Sequence, residues 1–114
     1  MLPRASRLLN DRDFQKIYKH GKRVMTPHLR IFYLPLAPTA SRFGFVVPGR
    51  EVKNIVERNR LKRLWRAELR RILPQLREGY GVIVLPSRKS LTLPPAARQA
   101  ELARVLQAAG LLPR

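Results

Sequence analysis

One stretch of the sequence gathers side chains that could do chemistry together: Arg58, Asn59, Arg60, Lys62, Arg63, Arg66 and Arg70. Arg58, Lys62, Arg66 and Arg70 recur at i, i+4 spacing with no acid among them, the spacing of neighbours on a helix. Ordinary surface helices mix signs, because opposite charges at that spacing attract and like charges repel. A row of this kind costs stability unless a polyanion neutralises it. Arginine outnumbers lysine in the row, which suits bidentate contact with phosphate. The chemistry is binding rather than bond-making, and nucleic acid is the expected ligand class, a merely solvated basic face being the plain alternative.

Groups for catalysis are not arranged for it. The acids are Asp11, Asp13, Glu51, Glu57, Glu68, Glu78 and Glu101, scattered along the chain. Asp11 and Asp13 stand at i, i+2 and do not face each other on a helix. No metal-ligand motif is present. His20 and His28 lie beside basic residues and turns and read as surface histidines rather than general bases. Gly79-Tyr80-Gly81 precedes a strand and cannot cradle a nucleotide as a phosphate loop does. With no cysteine, disulfides, thiol nucleophiles and Cys-type zinc sites are excluded. The sequence thus offers no catalytic residue and no metal ligand set. Phe14, Ile17 and Tyr18 share a helix face, either as core contacts or as a platform on which bases stack. Spacing leaves both open.

Elements must position these residues. Glu57–Ile72 has no Gly or Pro and stops before Pro74, so it is expected to be helical, with a first turn beginning near Asn54. At about 100° per residue, Leu61, Trp65, Leu69 and Ile72 form one stripe, and Asn59, Lys62, Arg63, Arg66 and Arg70 lie on the opposite side. A first helix is expected over Asp11–Lys19, with Asn10 as its N-cap and Gly21 as a C′ glycine. Leu29–Leu36 and Arg42–Val47 read as strands, joined by the turn Pro38–Ser41 into an antiparallel hairpin. Tyr80–Leu85 is the most apolar strand and is expected to be central. A last helix begins near Leu93-Pro94-Pro95 and ends at Gly110. A further short strand is expected near Val24 or Val52. The order describes an α+β sandwich.

The whole chain is basic, with 24 Lys+Arg against 7 Asp+Glu and a formal net charge of +17. Such an excess repels itself and calls for an anionic partner. At 114 residues one domain is expected over 1–114, with a basic lead-in at 1–9 and a short tail at 110–114. The hydrophobic share is 45% but aromatics are only 7%, so the core must be mostly aliphatic. No apolar run is long enough for a signal peptide or a membrane span, so a cytoplasmic location is expected.

Arg58-Asn59-Arg60-Leu61-Lys62-Arg63, followed by Leu64 and Arg66, resembles the signature helix of the bacterial ribonuclease P protein subunit family. Asp13–Arg23 resembles that family's first helix and turn, Leu29–Leu34 its first long strand, and Arg42–Val47 and Gly79–Val84 the strands flanking the signature. The resemblance runs from about Arg7 to Leu106. It implies a two-layer α-β-β-β-α-β-α sandwich with a left-handed β-α-β crossover. It further implies an RNA-dependent endoribonuclease, a hydrolase that removes the 5′ leader from precursor tRNA. The catalytic centre and its Mg²⁺ would lie in the RNA subunit, and the protein would hold no cofactor. Its partners would be ribonuclease P RNA and precursor tRNA, with no membrane and no DNA. By position, Arg58, Asn59, Arg60, Lys62, Arg63 and Arg66 match positions that face the RNA subunit, with Arg70 continuing the row. Phe14, Tyr18 and Tyr33 match the leader cleft, which favours the stacking role. One segment departs from the family's Ser-Lys-Lys-apolar-Gly pattern: Pro48-Gly49-Arg50-Glu51-Val52-Lys53-Asn54 is one residue longer and puts an acid, Glu51, where a base is usual. The rival reading is a structural rRNA-binding protein. An amphipathic helix on a membrane surface fits the globular pattern poorly.

Overall fold

A computed structural model of the chain describes residues 2, 6–8, 10–36 and 38–113. The elements run α1 (Asp11–His20), β1 (Lys22–Met25), β2 (Leu29–Pro35), β3 (Arg42–Phe45), α2 (Ile55–Ile72), β4 (Tyr80–Pro86) and α3 (Pro95–Ala108). This is the α-β-β-β-α-β-α order expected from the sequence.

The strands form one mixed sheet in the order β1-β2-β4-β3. The expected hairpin between Leu29–Leu36 and Arg42–Val47 is not formed. β2 pairs antiparallel with β4 (Tyr33 opposite Val82), and β3 pairs parallel with β4 (Phe43 opposite Val82). The cause is β4 itself. Nearly every residue of Tyr80–Pro86 is buried, so it needs neighbours on both sides, and it separates the two strands that are adjacent in sequence. The true hairpin is β1–β2, with Arg23 opposite Phe32. Thr26 closes it, its Oγ1 accepting from Leu29 N at 3.1 Å. The extra strand therefore lies at Val24. Val52 is in no strand, though its side chain is buried below the loop before α2.

Two cores lie on the two faces of the sheet. Leu29, Ile31, Phe43, Phe45, Val82 and Val84 face α2 and α3, where Leu61, Trp65, Leu69, Leu102, Val105 and Leu106 complete the main sandwich. On the other face Ile83 and Leu85 meet Ile17 of α1, with Phe14, Phe32 and Leu34 packed around them. The lead-in is not loose where it is described. Leu8 N donates to Phe43 O at 3.0 Å along the edge strand β3, with Leu2 buried in one core and Leu8 in the other. Residues 1, 3–5 and 9 lie outside the described residues.

The two helix-ending glycines act differently. Gly110 has φ 78°, and Leu111 N donates back to Leu106 O at 2.9 Å, a left-handed cap that any side chain would strain. That cap turns the expected tail inward, burying Leu111 and Leu112; Arg114 lies outside the described residues. Gly21 is extended (φ −74°), not the C′ glycine expected. It is needed for close approach: a Cβ there would lie 2.5 Å from Ile17 O and 2.9 Å from Tyr33 O.

Candidate nucleic-acid interface

Helix α2 starts at a well-made cap. Asn54 Oδ1 accepts from Val56 N at 2.8 Å and Glu57 N at 3.3 Å. Its rotation is fixed by Leu61, Trp65 and Leu69, all without exposed surface, and by the indole Nε1–H of Trp65 donating to Ser90 Oγ at 3.0 Å. The opposite side therefore faces outward, with Asn59, Arg60, Arg63 and Arg70 exposed and Lys62 and Arg66 half-buried. Asn59, Lys62, Arg63 and Arg66 line one groove together with the exposed Val56 and Ala67. The Arg66 guanidinium sits 5.8 Å from the centre of the Phe45 ring, a contact that holds it in place. Among the described residues none of Arg60, Lys62, Arg63, Arg66 and Arg70 has an ion-pair partner; the helix's acids turn elsewhere, Glu57 to Arg88 at 3.4 Å and Glu68 to Arg98 at 3.1 Å. Six of the seven expected positions thus sit on or beside one unneutralised cationic face.

Arg58 does not share that groove. Its Nη1 donates to Val52 O at 3.0 Å and Lys53 O at 3.1 Å, fastening the loop before the helix. The reason is spacing: Arg58 stands three residues before Leu61 and seven before Trp65, on the buried stripe. That relation was readable in the sequence.

The aromatic positions divide. Along β2, residues alternate between faces. Leu29, Ile31 and Tyr33 point to the α2/α3 side, where Tyr33 meets Tyr80 at 6.5 Å. Arg30, Phe32 and Leu34 point to the α1 side. Tyr33 is therefore not brought to Phe14 and Tyr18, and the expected cleft trio is not assembled. Phe32 takes the place, its ring 5.2 Å from that of Tyr18, edge to face. The Arg23 guanidinium lies 6.0 Å from the Phe32 ring centre. Tyr18 is 43% exposed, so part of its ring is free. Burial pushes its hydroxyl above the usual tyrosine range, with the nearby Arg30 charge pulling it back. Phe14 is partly core: it covers Gly44, where a Cβ would lie 2.6 Å from its ring. Tyr18, Phe32, Arg23 and Arg30 make a half-open aromatic surface edged with cations. Tyr33 rests on its position in the resemblance, and the period-two alternation of Arg30 and Phe32 is the signal that points to Phe32 instead.

His28 is not a lone surface histidine. Its Nδ1 lies 3.3 Å from Glu101 Oε1, a partner 73 residues away that no local reading could supply. Burial alone would raise the Glu101 carboxyl, but hydrogen bonds from Thr26 and His28 and the charges of His28 and Arg104 outweigh it and hold it below its ordinary 4.5. A carboxyl lowered by folding favours the folded state when ionised, so its contribution is complete above about pH 4.5 and is lost as pH falls below that value. Glu101→Gln should therefore flatten the acid side of the melting-temperature profile while leaving its shape above pH 6 nearly unchanged, as read by circular dichroism; an unaltered acid limb would refute this role. Among the described residues no three acidic or histidine side chains converge as metal ligands, and no helix is long and apolar enough to cross a membrane.

The sequence matches the Ribonuclease P family over residues 2–110. It is 34% identical to the ribonuclease P protein component of Symbiobacterium thermophilum, covering 99% of this chain and 98% of that one. It is 42% identical to that of Microcystis aeruginosa over 74% of each. Among solved structures, the Thermotoga maritima RNase P protein superposes with a TM-score of 0.76 at 26% identity, over 89% of this chain and 96% of that one. A Staphylococcus aureus RNase P protein mutant gives 0.83 at 25% identity, over 95% and 91%.

Proposed function

The chain belongs to the ribonuclease P protein family, and on that footing we propose how its surfaces serve a leader-removing ribonucleoprotein. The outward face of α2 binds the RNA subunit through Arg60, Lys62, Arg63 and Arg66, with Asn59 ordering them or bonding RNA directly and Arg70 extending the row. The surface of Tyr18 and Phe32, with Phe14 behind it, stacks bases of the single-stranded 5′ leader of precursor tRNA. Arg23 and Arg30 meet the leader's phosphates. Arg58 acts through the loop that it fastens. Of the seven acids, Glu57, Glu68 and Glu101 are engaged with cations; the hydrolytic centre, and the Mg²⁺ it uses, are assigned to the RNA subunit.

One observation carries this reading: the unneutralised helix face and the aromatic surface stand on opposite sides of one sheet. A protein that only coats a folded RNA needs one cationic face. Two separate surfaces, one suited to phosphates and one to unstacked bases, suit a protein that holds a structured RNA and a single strand together.

The test is cleavage of precursor tRNA at low Mg²⁺ by the chain mixed with its RNA subunit, each component also assayed alone. Leader removal only with both supports the reading. Tight RNA binding that never stimulates cleavage favours a structural rRNA-binding protein. Within the assay, Phe32→Ala should weaken binding of precursor tRNA by about 1–3 kcal/mol, the cost of one lost base stack. It should leave mature tRNA nearly unaffected. Tyr33→Ala, on the other face, should not discriminate between the two. Equal losses for precursor and mature tRNA with Phe32→Ala would defeat the leader assignment.

A further inference from the structure

Beside the aromatic surface lies a pocket of about 200 Å³ between the β1–β2 hairpin and the loop that follows β3, lined among others by His28, Arg30, Pro48, Glu51, Leu85 and Ser87. We propose that this pocket receives one base of the leader and selects guanine through the Glu51 carboxylate; the proposal rests on the leader reading of the Tyr18–Phe32 surface.

Position comes first. Arg30 pairs with Leu85 across β2 and β4, as Phe32 pairs with Ile83, and all four point to the α1 side. The two rows are two residues apart, about 7 Å along the strand, close to one nucleotide step of an extended strand. A base stacked on Phe32 thus has its neighbour above the pocket, with exposed Arg30 at the rim to meet the intervening phosphate.

The chemistry of the lining decides what enters. Pro48 and Leu85 give apolar walls for a base's faces. Glu51 is an exposed acid in a chain of net charge +17, and among the described residues it has no ion-pair partner. A carboxylate repels phosphate, so this corner admits a base and not the backbone. It is also an acceptor only, with two oxygens. Guanine alone presents two adjacent donors, N1–H and N2–H, on its Watson–Crick edge. Adenine and cytosine place a ring acceptor beside their amine, and uracil flanks its single N–H with two carbonyls, so each sets an acceptor against the carboxylate. Ser87 Oγ is shielded from solvent and, among the described residues, has no hydrogen-bond partner. Buried hydroxyls rarely stay unpaired, and this one supplies a donor for guanine O6.

The experiment uses the reconstituted holoenzyme and precursor tRNAs carrying each of the four bases at each leader position in turn, read as kcat/KM. Guanine at one position should be preferred about tenfold or more, the discrimination of one bidentate base contact. Glu51→Gln replaces one acceptor by a donor and should move the preference at that position to adenine or cytosine. No guanine preference at any position, or one unchanged in Glu51→Gln, overturns the proposal. Leader dependence that is lost in Phe32→Ala while the base preference survives Glu51→Gln sinks the pocket and leaves the leader surface standing. A holoenzyme whose cleavage is indifferent to the leader overturns both.

Discussion

Replacing Arg60, Arg63 and Arg70 together by alanine is expected to lower affinity for the RNA subunit by a factor of about 10³ or more. Each lost charge-assisted bond to phosphate is worth roughly 1.5–3 kcal/mol, and about 1.4 kcal/mol is tenfold. The more diagnostic readout is salt dependence. Each phosphate contact releases condensed counterions, so the log–log slope of affinity against salt should become shallower by about 0.7–0.9 per contact, about 2–3 in all. The three side chains are exposed, so folding should barely change, and relief of like-charge repulsion along α2 works in the variant's favour. Arg58→Ala is the internal comparison. Its guanidinium is spent on Val52 O and Lys53 O, so its loss should loosen the loop before α2 and change the salt slope much less. An unchanged slope in the triple variant, or an equal change in Arg58→Ala, would show that the outward face of α2 is not the phosphate-binding face.

The contrast between Arg58 and its neighbours shows what a sequence of this kind reveals. Helix α2 was legible almost to the residue, because Asn54, the absence of Gly and Pro, and the Leu61–Trp65–Leu69 stripe all act locally and agree. The same holds for α1 behind Asn10 and for α3 before Gly110. Sheet order was not legible. Two strands joined by a short turn form a hairpin unless a third competes for the space, and β4 competes through burial on both faces, which depends on what α1, α2 and α3 cover. Side-chain direction was legible in principle and was lost by following the resemblance at Tyr33 over the strand's period: Phe32, not Tyr33, shares a face with Arg30. The long-range pairs, His28 with Glu101 and Glu68 with Arg98, carry no local signal at all.

That last pair sets the largest expected effect on stability. Glu68 stands on α2 one position before Leu69, its side chain only 5% exposed, and its Oε2 accepts from Arg98 Nε of α3 at 3.1 Å. Arg98 also donates to Leu93 O at 2.7 Å, tying down the segment that leads into α3. Arg98→Ala should destabilise the free protein by about 3–5 kcal/mol, because it strands a buried carboxylate. Arg71 approaches Glu68 only to 3.9 Å and its side chain is 63% exposed, so it cannot take over. A loss of that size removes much of the roughly 5–15 kcal/mol that holds a small domain together. Replacing both partners, Glu68→Leu with Arg98→Leu, should recover most of it, since apolar packing of similar volume often equals or exceeds a buried ion pair. Urea denaturation separates the cases: equal losses in the single and double variants would mean that packing, not the orphaned charge, is responsible. The defect should also depend on RNA. A ligand that binds only the folded chain adds about 2.7 kcal/mol at a hundred times its Kd, so the Arg98→Ala protein should melt early alone and much later with excess RNA subunit. For a chain whose own charge works against compactness, a polyanion that neutralised α2 would thereby become part of what keeps α2 and α3 packed.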